Sequence, residues 1–370
     1  MKEAVQMRKD GAVLIFALVT MGMITILTQQ LMKSVSVGLM FTSRMVIREQ
    51  VEMLAYGGLS VAMVQLEECY QEEKKKDEAS AQKTGAVAKK FSFQKCITTI
   101  VPHLNRWQVF ELHEEIDGLD GRIQICICVE EGRIPLSVLF NEPARDSTPG
   151  AKQLLKSFSA VKKMPAGDVV AKLTTALKKR TTQLQDISGL LGCARELKVL
   201  FWYEPSPVPN TQKKEKATAA PFAVQDMCTL WASSGRINPL FLTSAVCMIL
   251  GLRMPLPGDA VKRKDQYKQL SENYDKIKTS SGDELWKNMG LVYDAKPKIP
   301  SEFSNLFSLE VEPRFYSVLC CATVAGVTQQ LLAIIEREAS PAPVVDRRGK
   351  DPKKSNEKQP LFAIRRLYWL

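Results

Sequence analysis

Gly11-Ala-Val-Leu-Ile-Phe-Ala-Leu-Val-Thr-Met-Gly-Met-Ile-Thr-Ile-Leu-Thr-Gln-Gln-Leu-Met32 is the stretch that decides the fold. It carries no charge, and Lys2, Arg8, Lys9 and Asp10 precede it. A hydrocarbon core about 30 Å thick needs about 20 mostly apolar helical residues, so this segment can span it. Three readings are open at this point. One is a cleaved secretory signal, with Ser34-Val35-Ser36 as a small-x-small cleavage site. Another is a plain single-pass anchor. The third depends on the residues beyond Met32.

The apolar pattern does not stop at a cleavage site. It continues as Val35, Val37, Leu39, Met40, Phe41, Met45, Val46, Ile47, Val51, Met53, Leu54, Leu59, Ala62, Met63 and Leu66. No Pro interrupts it, and Gly57-Gly58 is its main weak point, at about 1 kcal/mol per Gly. Lys33, Arg44, Arg48, Glu49 and Glu52 leave the apolar positions at helical spacing. The spacing predicts one continuous helix from about Ala12 to about Glu68. At 1.5 Å per residue it runs on the order of 85 Å. Its first half suits lipid, and its amphipathic second half must pack on a folded body.

The rest of the 370-residue chain suggests two folded parts beyond the helix. Gln71 to Lys90, with the run Glu72-Glu-Lys-Lys-Lys-Asp-Glu78, reads as a flexible connection rather than a helix extension. Trp107 to His113, Arg122 to Val129 and Gly132 to Phe140 alternate and are rich in β-branched residues. Asp117-Gly118, Asp120-Gly121 and Glu131-Gly132 separate them, the mark of an antiparallel sheet. From Thr148 to Lys198 the pattern is helical, Pro205 to Ala220 reads as a loop, and Thr243 to Leu252 and Lys262 to Asn288 are helical again. Glu302 to Glu312, Tyr316 to Gly326, Leu331 to Glu338 and Pro360 to Leu370 read as strands, with a polar loop at Ser340 to Gln359. The expected class is α+β, with sheet elements bracketing a helical region.

A basic start, a Gly before a long apolar helix and a sheet-bearing body resemble type IV pilin-like proteins. The resemblance implies a leader, residues 1–11, cut by prepilin peptidase between Gly11 and Ala12. Asp10 departs from the basic residue usual before the Gly. The fifth residue of the mature chain is Phe16, where most pilin-like subunits carry Glu. The K-type minor pseudopilin of type II secretion lacks that Glu and sits at the filament tip, and Phe16 fits it; a plain apolar residue in a membrane helix fits equally well.

Gly132-Arg133-Ile134 and Gly235-Arg236-Ile237-Asn238 resemble motifs of the same family, as does Ser304-Asn305-Leu306-Phe307 with Leu361 to Trp369 after it. Pro135 departs from the first motif. The resemblance implies a map: 12–68 the pilin helix, 69–90 a charged connection, 91–143 the first part of the sheet, 144–300 an inserted helical domain, and 301–370 the closing sheet. It implies other minor and major pseudopilins, prepilin peptidase and the inner-membrane secretion platform as partners. The chain would span the inner membrane once, N-terminus cytoplasmic in keeping with Lys2, Arg8 and Lys9, with a periplasmic body. The alternatives are a single-pass anchored or signal-peptide-secreted envelope protein of other function, and a minor pilin of a DNA-uptake system or type IV pilus.

Enzyme chemistry finds few carriers. The two His, His103 and His113, read as surface residues, and no Cys or His pair has zinc spacing. There is no phosphate loop of Gly-x-x-x-x-Gly-Lys form. Glu114, Glu115, Asp117 and Asp120 form an acidic turn without EF-hand spacing. Calcium is implied by the resemblance alone, with no ligands assigned. Arg133 and Arg236 read as solvent-facing side chains whose stems cover apolar surface, Asn238-Pro239 as a helix start and Thr243 as a cap. Nine Cys leave at least one thiol unpaired within a monomer, and Cys126 and Cys128 share one strand face. The net charge of +11 comes largely from loop lysines and arginines mixed with acids. Few aromatics interleave them as single-strand stacking requires, so nucleic acid is not the expected partner.

Overall fold

The uncharged run continues without a break to Thr84 as a single helix, α1 (Lys2–Thr84), in the computed structural model of the chain. The structure describes residues 2–84, 97–98, 100–136, 140–141, 146–147, 175, 227–231, 235–252, 260–290, 292–293, 306–338 and 361–369. Within α1, side chains are described from Ile15 to Tyr70.

The helix changes character near Val51. Before it, apolar side chains are exposed on every side; after it, Val51, Ala55, Leu59, Ala62, Leu66 and Tyr70 are buried at steps of three and four residues. That stripe is the 3.6-residue period seen from one side. It packs on a five-stranded antiparallel sheet whose spatial order matches chain order: β1 (Trp107–Leu112), β2 (Gly121–Val129), β3 (Phe315–Val324), β4 (Val327–Arg337) and β5 (Phe362–Trp369). α1 lies across β2, β3 and β4. Alternation places Ile125 and Ile127 of β2, Val318, Cys320 and Ala322 of β3, and Leu331, Ala333 and Ile335 of β4 in the core. Each fully buried aliphatic side chain contributes about 1.5–3 kcal/mol.

Gly58 brings helix and sheet together. A Cβ there would meet Ile123 Cγ2 at 3.0 Å and Cys320 Sγ at 3.4 Å, whereas Gly57 faces open space. The apparent weak point of the helix is a close-approach site.

Between β2 and β3 the chain leaves the sheet and returns. Val129 and Tyr316 are direct neighbours across that gap, so both ends of the excursion lie side by side, as an insertion into a folded body requires. The excursion includes α2 (Ser244–Ile249), α3 (Ala260–Ile277) and α4 (Gly282–Met289). Thr243 Oγ1 accepts from Val246 N at 3.4 Å and caps α2, as expected. Tyr274 and Tyr293 donate their hydroxyls to Leu309 O and Pro239 O, each at 2.6 Å. Trp286 packs edge-on against Phe307.

Several expectations need correction. The charged connection at 69–90 is helical as far as Thr84, the last described residue of that stretch. Glu, Lys, Ala and Gln are strong helix formers, and Glu72–Lys76 and Lys74–Glu78 stand at the supportive i,i+4 spacing. The described residues of Gly132 to Phe140, 132–136 and 140, do not form a strand of the main sheet. A 3-10 turn over Glu130–Gly132 ends β2, and Ile134–Pro135 pair in parallel with Cys228–Thr229. Pro135 cannot donate to a central ladder. In the expected strand Glu302 to Glu312, the described residues 306–312 make only a single bridge, Phe307 to Ile237, and then a turn. Lys262 to Asn288 is two helices, parted at Lys278 to Ser281, with Gly282 at φ +56° opening the second. The helical pieces from Thr148 to Lys198, apart from Thr175, and the loop Pro205 to Ala220 lie outside the described residues. β3, β4 and β5 fall where the closing strands were expected, and the class is α+β: a long N-terminal helix on an antiparallel sheet.

Candidate functional site

Two features stand out: the uncovered half of α1 and a buried polar junction at the root of the insertion.

The first is a matter of exposure. Ile15 is 63% exposed, Phe16 71%, Met40 71% and Val46 51%, and the large apolar residues between them are open as well. By length and composition this is a helix able to cross a membrane. Its polar residues do not break it: Thr20, Thr25, Thr28 and Thr42 return their hydroxyls to carbonyls three or four residues earlier, such as Thr25 Oγ1 to Met21 O at 2.8 Å. Backbone and hydroxyl groups are thus satisfied inside the helix, the condition for an apolar medium. Phe16 lies on this helix with no carboxylate at its position. Gly11 and Ala12 lie in the same helix, outside the described side chains.

The second feature joins the two Gly-Arg-Ile stretches. Asn238 N donates to Glu131 O at 2.8 Å. The Asn238 side chain accepts from Leu240 N at 2.9 Å, capping the turn at Pro239 as expected, and donates to Val311 O at 2.7 Å. Asn105, in the left-handed region at φ 56°, donates to Phe241 O and Leu242 O, both at 3.1 Å. A short polar side chain tolerates that backbone. Gly132 is required by contact: a Cβ there would sit 1.9 Å from Phe241 O. Gly235 meets nothing within 4 Å.

Carboxylates organise the junction. Glu130 pairs with Arg133 and accepts from Thr229 Oγ1, and all three are buried. Arg133 is therefore not the solvent-facing side chain expected; its guanidinium is drawn in because Glu130 would otherwise be a buried, uncompensated charge. Arg236 is exposed and 3.5 Å from Glu310, in line with expectation. Glu131 Oε1 accepts from Arg314 N at 3.0 Å and Phe315 N at 3.2 Å, where the chain re-enters the sheet. Burial pushes the Glu131 carboxyl up to about 7; the N–H bonds from Arg314 and Phe315 pull the other way, and Glu130 adds to the rise. On the next strand, burial pushes the Glu336 carboxyl up, but bonds from Arg365 and Arg314 outweigh it and hold it below the usual value.

The remaining chemistry-bearing residues are structural or exposed. Asp117 Oδ2 accepts from His113 N and Asp120 Oδ1 from Glu114 N, both at 2.9 Å, so two of the four acids in the turn cap a single helical turn. Among the described residues no three His, Cys, Asp or Glu are placed to hold a metal ion. His103 and His113 are exposed. Cys126 Sγ and Cys128 Sγ lie 3.7 Å apart on one strand face, as expected. Burial raises the thiols of Cys320 and Cys321 to about 12, so they pack as small apolar groups.

Among solved structures, the chain is similar to one from the GspK–GspI–GspJ complex of the enterotoxigenic Escherichia coli type 2 secretion system. The two are 12% identical, with a TM-score of 0.39 over 89% of this chain and 98% of that one. No protein-family model and no curated protein matches the sequence.

The sequence reading missed Glu130, Glu131, Thr229 and Asn105 as parts of one junction. The signal available was Glu130-Glu131, two acids interrupting an apolar run directly before Gly132-Arg133.

Proposed function

We propose that this chain is a non-enzymatic minor pseudopilin that caps the tip of a type II secretion pseudopilus. In this reading it takes part in pseudopilus initiation and in protein secretion across the outer membrane. The observation that supports it is the length of bare apolar helix. From Ile15 to Val46 the exposed apolar side chains extend along about 48 Å of helix. A bilayer core covers about 30 Å. A plain anchor leaves the remainder facing water on all sides, whereas helices of sister subunits cover it.

Prepilin peptidase would cut between Gly11 and Ala12. The helix from Ala12 to Met32 would hold the subunit in the inner membrane and then in the filament, with the body in the periplasm. Phe16 suits a subunit with nothing above it: a carboxylate there has no neighbouring ammonium to meet, and in lipid a lone charge is expensive. The insertion within 144–300 would block further addition. Other minor and major pseudopilins and the secretion platform are the partners of this reading.

N-terminal sequencing of the mature chain, made with and without prepilin peptidase, is the test. A start at Ala12 only in the presence of the peptidase supports the proposal. A start near Val37 means a secretory signal and an intact Met1 a plain anchor; either overturns it.

A further inference from the structure

Cys126 and Cys128 differ from the other thiols in where they stand. Ile125 and Ile127 of β2 face α1, near Gly58 and Leu66, and are buried. Alternation therefore puts Cys126 and Cys128 on the opposite face of the strand. Of the seven described thiols, Cys228, Cys247, Cys320 and Cys321 are buried, whereas these two are half-buried and reach solvent. Cys69, also half-buried, is on α1, across the sheet from them.

Their sulfur atoms are already in contact, 3.7 Å apart. An antiparallel strand rises about 3.4 Å per residue, which sets Cα atoms two residues apart at about 6.8 Å, the outer edge of the roughly 4.4–6.8 Å that a disulfide bridges. Rotation of the two side chains and a slight closing of the strand bring the sulfurs to bonding distance.

The neighbours across the ladder supply a polar group. Opposite Cys126 stand Trp107 on β1 and Leu319 on β3, and opposite Cys128 stands Ser317. Ser317 is 2% exposed, and its hydroxyl makes no hydrogen bond among the described residues. Directly opposite side chains of antiparallel strands are about 5 Å apart at Cβ, so an O–H donor stands beside the place where a Cys128 thiolate forms. A donor there favours the charged form.

We propose that Cys126 and Cys128 are a redox-active dithiol, a modification site that a disulfide oxidant closes into a bond within β2 and that thiols reopen. The Cys128 thiolate attacks one sulfur of the oxidant, breaks its S–S bond and expels one thiolate. The Cys126 sulfur then attacks Cys128 in the mixed disulfide and expels the second. The oxidant gains two electrons, and the two cysteine protons pass to the two thiols it becomes. A bond at the edge of the allowed span is of the labile, exchangeable kind. Ser317 is a positioning residue for the attacking thiolate. The site stands independently of the assembly reading.

Oxidised glutathione added to the full-length chain in detergent, followed by alkylation without reduction, trypsin digestion and mass spectrometry, tests this. Trypsin cuts after Arg122 and Arg133, and the peptide Ile123–Arg133 holds both thiols and no other cysteine. The expected product is that peptide unalkylated, lighter by two hydrogens and joined to nothing, and reduced glutathione should return it to the doubly alkylated form. Cys126→Ser should prevent closure and leave Cys128 with a lasting glutathione adduct, several-fold above the wild type. Ser317→Ala should slow closure several-fold and move its rate profile to higher pH, with Ser317→Thr restoring both. A peptide still doubly alkylated after oxidation overturns the proposal, as does a link to a peptide bearing another cysteine or a bond that reduced glutathione cannot reopen. An unchanged rate profile in Ser317→Ala overturns the part given to Ser317.

Discussion

The Tyr70 hydroxyl lies 2.5 Å from the Tyr316 hydroxyl, joining the buried stripe of α1 to the first residues of β3. Phe362 of β5 meets both rings nearly edge-on, at 5.6 and 5.7 Å between centroids. Three elements distant in sequence thus share one aromatic cluster, and its polar ends face each other instead of apolar core.

Removing one hydroxyl leaves the other with fewer partners in a buried site. Tyr316→Phe and Tyr70→Phe are each expected to cost about 1 kcal/mol. The double variant should cost less than the sum, because the bond between the two hydroxyls is already lost in either single variant. Denaturant unfolding of the four chains measures the coupling, and strict additivity counts against a shared bond.

The two Gly-Arg-Ile stretches predict opposite outcomes for one change. Gly132→Ala drives a Cβ into Phe241 O at 1.9 Å and is expected to destabilise by more than about 3 kcal/mol. Gly235→Ala enters open space and should stay within about 0.5 kcal/mol of the parent. Thermal melts compare them directly.

Glu336 should lose its contribution to stability in acid. Its folded pKa is depressed by Arg365 and Arg314. Its contribution is therefore complete above the unfolded value of 4.5 and is lost as pH falls through the folded one. Glu336→Gln is expected to lower stability at neutral pH and to narrow its gap to the parent under acid. A constant gap down to strong acid would sink this assignment.

The assembly reading gives a prediction on α1. Leu39 is 67% exposed and lies above the segment that fills a bilayer. Leu39→Glu should leave the melting of the body and recovery in membranes unchanged, yet reduce crosslinking to the other pseudopilins several-fold. Loss from the membrane fraction would instead place Leu39 in lipid.

Phe16→Glu places a carboxylate in the apolar segment at a cost of about 3 kcal/mol. In a tip subunit no neighbouring ammonium offsets it, so secretion should fall, while Phe16→Leu should be silent. Equal secretion with Glu at this position would argue for a neighbour above.

Much of this was legible in the residues themselves. The uncharged run, the unbroken 3.6 period beyond it and the alternating strands around Ile125, Val318 and Ala333 fixed a long helix on an antiparallel sheet, because burial on one face imposes those periods locally. Sequence could not say that Glu130 to Gly132 ends a strand, that Arg133 turns inward, or that Gly132 and not Gly235 is sterically required. Each depends on what lies opposite, and the opposing groups, Phe241, Thr229, Asn238 and Arg314, are about 100 residues or more away along the chain. Local periodicity determined the elements; only the meeting of distant backbones decided where their polar groups are satisfied.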